Sequence, residues 1–183
     1  MEAAQLPSGL ERALEPMLKT IEALTEQIGA YDRVIDELAS RYPATEVLRQ
    51  VTGVGALTAV AYALTLGDSS RFGTSRDIGA FLGLVPRQHD SGNDVSQLSI
   101  TKAGNTLLRR LLVGSAHYIL GVQGPDCDLR RYGERLMSRR GRNAKKRAIV
   151  AVAWKLAVLL HRLWVNGEVY DPLHSGRENR QAA

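Results

Sequence analysis

Three stretches of this chain place reactive or charged side chains at spacings that chemistry could use. The first is Arg87-Gln88-His89-Asp90-Ser91-Gly92. A serine hydroxyl beside a glycine on an exposed loop is open to close approach by a phosphodiester, because glycine has no side chain to stand in the way. Arg87 would neutralise charge building on the phosphoryl oxygens, and His89 or Asp90 could take the serine proton. On composition alone the same residues also describe an ordinary turn with a solvated histidine.

The second stretch runs from Arg130 to Arg147. It holds Arg130, Arg131, Arg135, Arg139, Arg140, Arg142, Lys145, Lys146 and Arg147 against Glu134 alone. Such a density of cations suits a nucleic-acid backbone, since arginine's planar fork matches phosphate oxygens and each neutralised phosphate releases counterions. It carries no sequence specificity by itself. The third is Val51-Thr52-Gly53-Val54-Gly55, between two helical patterns. Two glycines allow a tight turn, and the following helix opens with free backbone N–H groups and a dipole that favour a phosphate. This predicts a helix-hairpin-helix with Gly53 and Gly55 at the backbone contact; the alternative is a plain helical hairpin without a ligand. Lys102, Arg109 and Arg110 complete the candidate nucleic-acid set.

The rest of the chain must position these groups. Its 183 residues are 44% hydrophobic and 23% charged, enough apolar matter for a core. The formal charge of +5 is unevenly spread: residues 1–50 carry nine acidic and five basic side chains, the remainder ten acidic and nineteen basic. A basic body follows an acidic leader, which points to polyanionic partners. Cys127 is the only cysteine, so an internal disulfide and a cysteine-rich zinc site are excluded. No signal peptide is visible, and the apolar stretches at 54–66 and 148–154 are too short to span a bilayer. The expected location is cytoplasmic, with no membrane partner.

Periodicity predicts an all-α fold: a long N-terminal coiled-coil helix followed by a compact helical domain. Leu10, Leu14, Met17, Ile21, Leu24, Ile28, Tyr31, Ile35 and Leu38 alternate at spacings of four and three, the a/d seam of a coiled coil. Pro16 interrupts its early part, so the unbroken helix should start near that residue. Tyr42-Pro43 should end it. Further helices are predicted over 45–50, 56–66, 74–82, 103–120, 127–139 and 142–164, with a long loop or short hairpin at 84–102. The domain reading is a coiled-coil helix over 1–42, a helical domain over 43–166 and a polar, flexible tail over 167–183.

The stretch from Leu48 to Ala116 resembles the C-terminal domain of the bridge-RNA-guided DEDD transposases of the IS-one-ten type. LRQVTGVGALTAVAYALTLGDSSRF, DIGAFLGLVPRQHDSG and SITKAGNTLLRRLLVGSA carry the likeness, in that order. The heptad segment is similar to the coiled coil that precedes this domain in the family. The resemblance implies that Ser91, in the Pro-x-x-x-x-Ser-Gly spacing from Pro86, is the nucleophile that opens a DNA phosphodiester, with Arg87 assisting. It implies DNA and a structured guide RNA as partners, and self-association through the coiled coil. It also implies Mg2+ held by four acidic residues of a RuvC-like domain. Only a few residues precede the heptads here, and no spaced carboxylate set stands in for those acids. The expectation is therefore a transposase half that supplies the serine and binds nucleic acid, without a cofactor of its own and inactive until the metal-binding domain is present. The alternative is a truncated, non-catalytic nucleic-acid-binding or oligomerisation module.

Overall fold

The computed structural model describes residues 8–87, 99–139, 141 and 143–174. The chain forms α1 (Ser8–Ser40), α2 (Ala44–Arg49), α3 (Ala56–Leu66), α4 (Asp77–Phe81), α5 (Thr106–Ile119), α6 (Asp128–Met137) and α7 (Ala144–Asn166), with one 3-10 turn at Ser69–Arg71. No strand forms among the described residues; Pro86 and Ile100 make one isolated antiparallel bridge. The fold is all-α, as the periodicity predicts.

The helix ends follow local chemistry. Asn105 caps α5, its side-chain oxygen accepting from the Leu108 N–H at 3.0 Å. This starts α5 three residues later than the apolar spacing suggests, because Gly104 stands at φ +74 and cannot be helical. α7 ends at Gly167, in the left-handed region at φ +64. α1 departs from expectation. It starts at Ser8 and passes through Pro16, where a proline costs one backbone bond on an exposed helix rather than ending it.

α7 is the axis of the domain. Ala148, Val152, Ala153, Leu156, Ala157 and Leu160 are fully buried along it, against α3, α4, α5 and α6. Tyr62 of α3 sends its hydroxyl to the Ala157 carbonyl at 2.6 Å, and burial holds that phenol protonated far above its ordinary range. His161 is equally buried. Its Nε2 donates to the Ser69 carbonyl and its Nδ1 meets the Ser75 hydroxyl, both at 2.9 Å, pinning the segment that leads into α4. By length and apolarity α7 is the one described helix that could cross a membrane, longer than the apolar run at 148–154 indicated. Half of its most apolar window is buried inside this fold.

At its other end the domain is stitched to α1. Thr45 Oγ1 donates to the carbonyls of Ala39 and Tyr42, both at 2.7 Å, and Ala39 is buried. The upper part of α1 projects with its seam in solvent. Beyond α7 the chain does not fray at once, as its polarity suggested. The Asp128 N–H donates to the Pro172 carbonyl at 2.8 Å and the Tyr170 N–H to Gln50 Oε1 at 2.8 Å, so 167–174 pack back on the domain. Residues 175–183 lie outside the described part.

The loop 84–102 is gripped at its base. The Arg87 N–H donates to Ser99 O (3.1 Å), Thr101 to Val85 O (2.9 Å) and Lys102 to Gly83 O (3.1 Å). These bonds make the short hairpin stem that the sequence left open against a plain loop. The two feet approach so closely that a Cβ on Gly104 would fall 2.0 Å from the Phe81 carbonyl oxygen. Gly104→Ala combines that clash with a left-handed φ. It should destabilise the chain by about 2–4 kcal/mol, read as a lowered denaturation midpoint with an unchanged slope. A loss below 1 kcal/mol would show that the stem is not closed in solution.

Candidate nucleic-acid interface

The turn between α2 and α3 is built from the inside out. Val51 and Val54 are buried and hold it on the core. Gly53, at φ +94, lets the backbone cross Tyr118 and Ile119 of α5; an added Cβ would sit 3.1 Å from the tyrosine ring. Gly55 is the extended N-cap of α3, whose opening N–H groups receive no side-chain cap. The turn and α5 enclose an open cleft of about 580 Å³, lined by Arg49, Thr52, Gly53, Gly55, Arg110 and Tyr118 among others. The structure thus brings Gly53, Gly55 and Arg110 together. Arg49 joins them and was not singled out in the sequence. Its guanidinium also lies 3.1 Å from Asp36 of α1, both side chains half exposed, a contact of small stabilising value. Its signal was present only as the last residue of a helix that ends at the turn.

Arg109 has a different place. Its Nη1 donates to the Leu82 and Ala103 carbonyls at 3.1 and 2.7 Å, and its Nη2 to Thr106 Oγ1 at 3.2 Å. The guanidinium bridges the two feet of the 84–102 loop, leaving few donors for a phosphate. Lys102 is exposed beside it, with its backbone at φ +58. Arg87 is exposed at the outer end of the stem. Ser91, with His89 and Asp90, falls outside the described residues.

The basic stretch divides in the same way. Arg130 Nη1 gathers the carbonyls of Ile119, Gly121 and Gly124 at 2.7–3.1 Å, while its Nε donates to Glu134 at 2.8 Å. It closes the bend between α5 and α6. Arg131 grips Asp126 through two bonds of 2.9 and 2.7 Å, and that hydrogen bond holds the Asp126 carboxyl below its ordinary range. Arg135, Arg139, Lys145, Lys146 and Arg147 are exposed. Among the described residues none of the five has an acidic partner in an ion pair. They surround the turn from α6 to α7. Arg140 and Arg142, in that turn, lie outside the described residues.

Among the described residues no three aspartate, glutamate, histidine or cysteine side chains converge on a point that could hold a metal ion. What the arrangement offers is backbone N–H groups and free cations, the chemistry of phosphate binding.

Comparison with known proteins gives this surface its context. The family model described as Transposase IS116/IS110/IS902 family matches residues 45–127, which span the glycine turn, the loop stem and α5. The chain is 35% identical over 170 residues to the transposase for insertion sequence element IS1111A of Coxiella burnetii, covering 92% of this chain and 46% of that protein. It is 33% identical over 172 residues to a probable family 20 transposase of Pseudomonas aeruginosa, covering 93% and 50%. A pilin gene-inverting protein of Moraxella bovis is 27% identical over 153 residues, 83% of this chain and 45% of that protein. The chain spans about half the length of the relatives it matches. Through the matched segment, with its glycine turn and gripped loop, the chain belongs to the transposase IS116/IS110/IS902 family.

Proposed function

We propose that this chain is the nucleic-acid-binding, serine-bearing part of a transposase that cleaves and rejoins DNA. The observation that carries the binding half is the partition of the cations. Arg109, Arg130 and Arg131 are spent on carbonyls and two carboxylates, whereas Arg135, Arg139, Lys145, Lys146 and Arg147 are left exposed around one turn. The Gly53–Gly55 turn with Arg110 supplies a second backbone contact of the helix-hairpin-helix kind. DNA is the proposed partner, with a structured guide RNA beside it.

The catalytic half rests on the resemblance. Ser91 Oγ would attack a phosphodiester phosphorus, forming a phosphoserine ester as one P–O bond of the strand breaks and its oxygen leaves as a hydroxyl. Reversal of that exchange rejoins DNA without ATP. Arg87, at the end of the stem, would offset charge on the phosphoryl oxygens. A magnesium site would belong to the RuvC-like part that the resemblance implies. A second reading, a binding or oligomerisation module without cleavage, needs only the exposed cations and the exposed seam.

That seam supports self-association. Met17, Ile21, Leu24, Ile28 and Tyr31 are each more than half exposed, and the partner that matches a 3.5-residue apolar period is a second helix of the same period. Replacing Leu24 and Ile28 with Asp puts charge into the seam and should halve the sedimentation mass or reduce it further. Equal masses for the two proteins would remove α1 as the contact.

Changing Arg139, Lys145, Lys146 and Arg147 to Ala should weaken binding to all DNA sequences alike. The slope of log affinity against log salt should flatten by about 0.9 for each phosphate that is no longer neutralised. An unaltered slope would make the turn ordinary solvated surface. With a RuvC-like domain fused, Ser91→Ala should abolish both strand cleavage and the covalent DNA adduct while leaving DNA affinity within about twofold, since loss of one exposed hydroxyl disturbs folding little. Persistence of the adduct in Ser91→Ala, with its loss in Ser96→Ala or Ser99→Ala, would assign the nucleophile elsewhere.

A further inference from the structure

A groove of about 1470 Å³ runs between α6 and α7 and is closed at one end by the returning tail. It is larger than a drug-sized pocket. Trp154 of α7 lines it. The indole is partly buried and fixed, because Gly79 of α4 leaves the room it occupies: a Cβ there would fall 1.8 Å from Trp154 Nε1. Beside it the Lys155 ammonium stands 4.0 Å from the centre of the Tyr132 ring, a cation held in place by an aromatic wall. Arg135 and Arg76 are exposed on the same groove. Neither makes an ion pair among the described residues.

Two of the groove's acids are paired with other arginines. Glu134 accepts from Arg130 at 2.8 Å and Glu168 lies 3.6 Å from Arg162. Asp128 and Asp171 sit where the tail meets the start of α6, tied by the Asp128 N–H to Pro172 O bond. Arg135 lies seven residues along α6 from Asp128, roughly 10 Å at the helical rise. The Arg135 end therefore lies toward the basic turn, and the tail lines the other end.

We propose that this groove binds single-stranded nucleic acid, with a base lying against Trp154 and the neighbouring phosphates on Arg76, Arg135 and Lys155. The proposal rests on the nucleic-acid reading of the chain and adds to it the state of the strand and the place. An aromatic platform flanked by cations is the pattern of sequence-tolerant single-strand binding. A paired and stacked base cannot bring its face to an indole without leaving the duplex. The groove is continuous with the exposed cations of the turn, so a strand parted from a duplex held there has a short path into it.

The chain has two tryptophans, so Trp164→Phe leaves Trp154 as the sole indole reporter in the full chain. Titration with a single-stranded oligothymidylate of roughly ten nucleotides, as deoxyribose and as ribose strands, should quench its fluorescence. A duplex of equal length should bind without quenching. Quenching by either strand supports the groove, and the tighter one names the source. Trp154→Leu should weaken single-strand affinity roughly five- to a hundredfold. Because Trp154 also packs on Gly79, the surface pair Arg76→Ala and Lys155→Ala, outside the basic turn, provides an independent arm: it should lower single-strand affinity at least tenfold and duplex affinity less than threefold. If duplex binds while single strands leave Trp154 unquenched, the groove proposal fails and the nucleic-acid reading stands. If neither binds, both fail. Equal quenching by duplex would also overturn the groove.

Discussion

Everything in this domain depends on burying α7 from several sides at once. Leu156 and Leu160 have no exposed surface, and removing either to Ala would cost about 2–5 kcal/mol. A helix can be covered this fully only if its neighbours come close. Small residues permit that: Ala148, Ala153 and Ala157 on α7 itself, Gly79 on α4 and Gly133 on α6, whose Cβ would strike Leu120 and Val152. The polar groups drawn into the core by this packing are answered. Tyr62 finds the Ala157 carbonyl and His161 finds Ser69 and Ser75, so desolvation is offset by hydrogen bonds. The same axis sets the site: α5 brings Arg110 to the glycine turn, and α6 brings Arg135 beside Lys155.

The arginines do two different jobs, and sequence cannot sort them. Arg109 and Arg110 are adjacent, yet on a helix adjacent residues point about 100° apart. One turns inward to the loop's feet and the other outward to the cleft. Arg130 is likewise absorbed by the Ile119–Gly124 bend, where its Nη1 donates to three carbonyls at and beyond the end of α5. Composition counts such residues as part of a basic patch; geometry makes them fasteners. The patch is smaller than its sequence, and sharper, because the cations left over sit together at one turn.

Much of the fold was legible because its signals are local. Gly83 and the Tyr42-Pro43 step mark helix ends through backbone sterics alone, and of the apolar α5 positions 107, 108, 111, 112, 116 and 119, the four at 108, 112, 116 and 119 are buried while Leu107 is exposed. What escaped is non-local. The 167–174 segment is polar, so its docking through Pro172 and Tyr170 depends on partners at Asp128 and Gln50, far off in sequence. Burial of the Tyr170 phenol, which raises its pKa well above the ordinary value, has no trace in periodicity. The start of α1 was misread because Pro16 was weighed as a break, whereas at an exposed position the helix accommodates it. Of the candidate site, the glycine turn and the cation density could be read directly. Arg49 and Trp154 could not, since their relevance lies in what other helices bring beside them.

The position of the free cations carries one more physical argument. Lys145, Lys146 and Arg147 occupy the first turn of α7, which holds no acid and no side-chain cap. A helix N-terminus bears partial positive charge, and three cations there oppose it, each at a cost of some tenths of a kcal/mol. A sequence shaped by stability alone would place acids at this end. The arrangement is instead suited to an external anion, which would meet the opening N–H groups and the cations together and relieve a repulsion that the free chain sustains. Arg135 and Arg139, near the C-terminal end of α6, complement the dipole of their own helix, so they cost nothing in the free chain. The turn thus joins one helix end where cations are at ease to another where they are not, and the uneasy end is the one that gains most from a phosphate.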